Sequence, residues 1–81
     1  MTTRTSQHWP NLQGLIDSDG SINIGYIAPL NVCAAVAAQQ RQVYAQLVAR
    51  EGERLTDLLG RLDTAVAKAI DEEIYTDEIN C

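Results

Sequence analysis

Asp17 and Asp19 are the residues best placed to do chemistry, two carboxylates separated by one serine in the stretch "LQGLIDSDG" (Leu12 to Gly20). Acids at i and i+2 around a turn can offer oxygen ligands to a hard divalent cation. They can equally bond to nearby backbone N–H groups and shape the turn itself. Little else in the chain could react. His8 is the single histidine, beside Trp9 in a polar arm, so one chain cannot assemble a histidine triad or a multi-histidine metal site. Cys33 has Val32, Ala34, Ala35 and Val36 as neighbours, which would raise a thiol pKa, and it reads as a small core residue. There is no glycine-rich phosphate loop and no serine in an elbow setting. No cofactor is expected, and a catalytic role is not.

The stretch resembles the motif of the LAGLIDADG homing endonucleases, matching at Leu12, Gly14, Leu15, Ile16, Asp17, Asp19 and Gly20. The resemblance implies a short helix followed by a strand, with the second acid, Asp19, on a divalent metal at the base of a DNA-reading sheet. The chain departs from that pattern in three ways. It is far shorter than such an enzyme, it lacks a basic sheet, and Pro10 and Gly14 leave little room for a helix before Asp17. A lone Asp19 would also need a second metal ligand from elsewhere. The same letters resemble an EF-hand loop, with Gly20 at the invariant glycine, Asp17 and Asp19 as ligands and Ile22 at the apolar position. That pattern breaks at Leu15 and Tyr26, which occupy the places of the first acid and the closing glutamate.

The elements that must position these residues follow from periodicity. Residues 1–10 read as a flexible arm, with Trp9 over a sheet edge. Residues 11–50 read as a hairpin and sheet region. Leu12 to Ile16 is taken as a strand, "DSDG" as a tight hairpin turn, and "SINIGYI" as its partner, with Ile22, Ile24 and Tyr26 on the buried face. Gly25 suggests a bulge. Residues 32–50 fit either a helix or two strands turning at Gln39 to Arg41. Residues 53–74 carry apolar side chains at Leu55, Leu58, Leu59, Leu62, Val66, Ala69, Ile70 and Ile74, one face of an amphipathic helix. Asp57 stands four residues before Arg61 and Lys68 four before Glu72, as pairs along its polar face. Gly60, in mid-helix, implies close packing or simple tolerance.

"YAQLVAREGERLTDLLGRLDTAVAKA" and the ending "YTDEIN" resemble small uncharacterised proteins encoded on bacterial mobile elements, over about half the chain. That resemblance implies the order strand, turn, strand, helix and brings no activity with it. The expected fold is therefore α+β: a small antiparallel sheet of three or four strands against one long C-terminal amphipathic helix. The alternative is a mostly helical chain with a short N-terminal hairpin.

Charge bounds the partners. The net charge is −5 over 81 residues, yet acids and bases cancel through residue 70, and the excess lies in "DEEIYTDEIN", the acidic tail of residues 75–81 and the residues just before it. A phosphate-backbone binder needs clustered Lys and Arg, so no nucleic acid is expected. No apolar run approaches a membrane span and "MTTRTSQHWP" has no leader-like core, so a cytoplasmic setting is expected. Cys33 and Cys81 do not suggest a disulfide framework. So small a core favours a homodimer. The expected role is a non-catalytic protein-interaction module of a mobile element, with Tyr26, Tyr44, Tyr75, Asp77 and Glu78 as interface candidates towards a second copy or an unidentified protein. The alternatives are a divalent-metal-dependent, LAGLIDADG-like nuclease remnant using Asp17 and Asp19, and an acidic inhibitor that mimics nucleic acid.

Overall fold

The structure, a computed structural model, describes residues 9–79. It is α+β, in the order α1 (Pro10–Asp17), β1 (Ser21–Ile27), β2 (Val32–Gln39), β3 (Gln42–Val48), α2 (Leu55–Glu72) and β4 (Thr76–Asp77). The strands form one sheet in sequence order. Within residues 32–50 the chain forms the two strands β2 and β3, and the mostly helical alternative is excluded. β1, β2 and β3 run antiparallel, but β4 lies parallel to β3, so α2 is the crossover of a β-α-β unit and the sheet is mixed. The expectation for the arm, residues 1–8 with His8, and for Cys81, falls outside the described residues.

Leu12 to Ile16 is a helix, not a strand. Proline at the first helical position costs no hydrogen bond, because the N–H it lacks would have had no partner there. Leu12 and Leu15, three apart, then face the core together. Trp9 precedes the helix and cannot cap it; the cap comes from α2. Asp63 Oδ1 accepts the Asn11 and Leu12 backbone N–H groups at 2.9 and 3.0 Å, and Oδ2 accepts the Asn11 side-chain amide at 2.9 Å. Trp9 packs against the core beside α2, where its Nε1 lies 3.9 Å from the place a Gly60 Cβ would take, and not over a sheet edge. That spacing is an ordinary contact, so Gly60 is tolerated rather than required.

Both helices cover one face of the sheet. Leu12, Leu15, Leu58, Leu62, Ala65 and Val66 enclose Ala35 and Ala37 of β2 and Ala45 and Leu47 of β3. The three alanines make a floor flat enough for the helices to approach closely. A bulge opposite the Ala37–Ala38 step leaves Tyr44 without a strand partner and turns it towards the core beside Ala45. Gly25 is not bulged; it pairs in continuous register with Ala34. α2 spans Leu55–Glu72, inside the expected 53–74, and ends at Glu73 in the left-handed region. Its buried stripe is Leu58, Leu62, Ala65, Val66 and Ala69, while Leu55, Ile70 and Ile74 of the expected apolar face remain exposed.

Candidate functional site

The turn that raises the question of chemistry is a helix terminus. Gly20 N–H donates to the Leu15 carbonyl at 2.8 Å and Asp19 N–H to the Ile16 carbonyl at 3.1 Å. This is the Schellman pattern of a helix C-terminus, with Asp19 at φ 68° in the left-handed position and Gly20 following it. The side chain of Gln39 donates to the Ser18 carbonyl and ties the turn to the end of β2. Asp17 accepts the Gln13 amide at 3.0 Å, whereas the Asp19 carboxylate is exposed and has no hydrogen bond among the described residues. Among the described residues no group of three or more His, Cys, Asp or Glu is placed to hold a metal ion.

The acidic tail is built into the fold. Glu78 N–H donates to the Gln46 carbonyl at 2.8 Å, and Glu78 Oε1 accepts the Val48 N–H at 2.8 Å. Arg61 holds the other end of this clasp. Its Nε and Nη2 donate to Glu53 at 2.7 and 2.8 Å, Nη2 also reaches the Val48 carbonyl at 2.9 Å, and Nη1 lies 3.3 Å from Glu78 Oε2. Arg61 thus pairs with Glu53 and Glu78, and the expected partner Asp57 is not among its contacts. The two hydrogen bonds from Arg61, helped by the Arg50 backbone N–H, hold the Glu53 carboxyl down to about 2 from its ordinary 4.5, and the same pairing raises Arg61. Glu53 stands two residues before α2, and Asp57 is the acid of its first turn. A groove of about 370 Å³ runs between α2 and the β3–β4 edge over Leu47, Gly60, Thr64, Lys68 and Thr76, but Arg61, its strongest donor, is already committed.

The remaining candidates scatter. Tyr26 is 65% exposed near the far end of β1, its hydroxyl bonded to Asn31. Tyr44 is half-buried and donates to Gln39 Oε1 at 3.0 Å, so it closes the edge of its own core. Tyr75 is exposed just before β4, and Asp77 lies in β4 opposite Gln46. Cys33 is exposed, contrary to its reading as a core residue, because it pairs with Tyr26 beyond the reach of the helices. Ile24 and Tyr26, on the outer strand of the sheet, are also exposed, and only Ile22 of that set packs against the core.

The chain matches no known protein family, no curated protein and no solved structure.

Sequence reasoning passed over the second face of the sheet. Residues paired across strands share a face and neighbours along a strand alternate. With Ala35, Ala37, Ala45 and Leu47 under the helices, Ile27, Val32, Ala34, Val36, Val43 and Val48 point the other way. No helix of the described residues packs over this face, on which Ala34 is nonetheless buried at 3% exposure, Ile27, Val32, Val36 and Val48 are half-buried, and Val43 is exposed. The facing pair Gly25 and Ala34 leaves a dent of about 250 Å³ between Asn23, Ile27 and Val36. This open face carries no Lys or Arg; Arg41 lies in the β2–β3 turn and Arg50 beyond β3. The signal was in the sequence: "NVCAAVAAQ" is apolar at both parities, the pattern of a strand with two apolar faces. No helix of the described residues is long and apolar enough to cross a membrane.

Proposed function

We propose that the protein is a non-catalytic protein-interaction module of a bacterial mobile element, and that it binds through the open face of its sheet. One observation carries this reading. Among the described residues the helices cover one side of the four-stranded sheet, and the other side offers half-buried valine and isoleucine and an exposed Val43 around a dent large enough for a side chain. The absence of basic residues from that face supports a protein partner over a nucleic acid, whose phosphates require cations. Asp77 and Glu78 also make contacts within the fold, and Tyr26 belongs to the helix side of β1, outside the open face. A photo-cross-linking residue at Val36 in the producing cell should give protein adducts, and one at Gln13, on the exposed surface of α1, should give few. Adducts to nucleic acid, or none at Val36, would sink the reading.

A second reading is favoured by one observation. The helix, turn and strand from Pro10 to Ile27 reproduce the local order implied by the LAGLIDADG resemblance, so the expected lack of a helix no longer counts against it. The open face, which would have to read DNA, carries no cation. Magnesium titration followed by amide NMR separates the two: the module reading expects no shift from Asp17 to Ser21, and a saturable shift there would favour the nuclease remnant.

A further inference from the structure

β1 is the outer strand of the sheet, paired with β2 on one side and with nothing among the described residues on the other. Along its seven residues alternate N–H and C=O groups therefore point away from the fold. Proteins blunt such edges with lysine, proline, bulges or brevity. β1 uses none of these: "SINIGYI" has no charge and no proline, and its register with β2 runs unbroken from Ser21 opposite Ala38 to Ile27 opposite Val32. On the helix side of this edge, Ile24 is 38% exposed while Ala35, its partner on β2, is fully buried.

We propose that β1 pairs antiparallel with β1 of a second copy of this chain about a two-fold axis at Ile24, joining two four-stranded sheets into one of eight. This rests on the interaction-module reading and names one partner. Parity selects the register. A one-residue slip would set each copy's apolar side chains against the other's polar face, so the axis must pass through a residue and not between two. Centred on Ile24, all seven residues pair: Ser21 with Ile27, Ile22 with Tyr26, Asn23 with Gly25, and Ile24 with itself. Ile22, Ile24 and Tyr26 of both copies then form one stripe on the helix side, and the two open faces become continuous. A two-fold contact of this kind closes on itself and does not propagate into a fibre.

Charge distribution favours this edge. The acids of β4 lie three strands away, about 14 Å at roughly 4.8 Å per strand, beyond a screening length of about 8 Å at physiological salt. Each copy carries a net −5, yet the paired strands contain no charge.

Light scattering from micromolar to near-millimolar concentration should show a monomer–dimer equilibrium, abolished by Ile24→Lys, which sets like charges on the axis while circular dichroism stays native. In a Cys33→Ser, Cys81→Ser background, Ile24→Cys should cross-link rapidly on mild oxidation, because opposed Cα atoms approach to about 4.5–5.5 Å. Ser21→Cys, about 20 Å from its own copy at ~3.4 Å per residue, should not. A monomer at every concentration, a dimer that survives Ile24→Lys, or equal cross-linking at both positions would overturn the proposal. Adducts at Val36 in the producing cell would persist through that failure if the wider reading is right.

Discussion

Asp19 sits at φ 68°, where an L-residue other than glycine is held at a cost, and Gly20 follows it under Leu15. The two positions respond in opposite directions. Asp19→Gly should raise stability by about 1 kcal/mol, read as a higher urea midpoint at unchanged slope, because the left-handed position of a helix end favours glycine. Gly20→Ala places a Cβ 2.5 Å from Leu15 Cγ and Cδ1 and 2.8 Å from the Leu15 carbonyl oxygen, although Gly20 has no left-handed φ. Leu15 is buried and cannot retreat, so a loss of about 1–3 kcal/mol is expected in the same measurement. The motif's letters thus have a structural account: Leu12 and Leu15 pack, Asp19 turns and Gly20 admits the leucine. The turn was legible in the sequence, but its parent element was not, since Asp-Gly after an apolar run serves a hairpin and a helix end alike.

At the scale of elements, α1 and the tail depend on side chains from α2. Asp63→Ala removes the acceptor for two N–H groups of α1 and should cost about 0.5–2 kcal/mol, with hydrogen-exchange protection lost over Asn11 to Leu15 first. Glu53 gives a pH signature. Its carboxyl is held near 2 in the fold against an ordinary 4.5, so its contribution is complete above pH 4.5 and is lost as pH falls towards 2. Thermal melts over that window should fall more steeply for the native chain than for Glu53→Gln. α2 was legible because its period is long and regular, and strands β2 and β3 were open to reading by alternation. α1 was obscured because eight residues with a central glycine carry a weak helical signal, and because its cap lies 52 residues away, where no local pattern can reveal it.

At the scale of the whole molecule, two faces of one sheet have unequal fates. The inner face is sealed by two helices over an alanine floor, with Leu62 and Val66 both at 0% exposure. The outer face sets Val32, Val36, Val43 and Val48 beside Ser21, Asn23 and Gln46, and no helix of the described residues lies over it. Sequence reasoning recognised the layer of helix on sheet but not the bareness behind it, because apolar residues at both parities say only that both faces avoid water. Of the acidic excess, Asp71, Glu72 and Glu73 stay exposed, whereas β4 returns beside β3 and Arg61 closes over Glu78. That return fixes when the fold can be finished. β4 can dock only after α2 has crossed the sheet, so the Glu78 clasp belongs to the native side of the folding barrier. Glu78→Ala should therefore leave the refolding rate unchanged and accelerate unfolding, steepening neither arm of the chevron but lifting its unfolding limb. Glu78 of the acidic tail thus acts as a latch on the lifetime of the folded state.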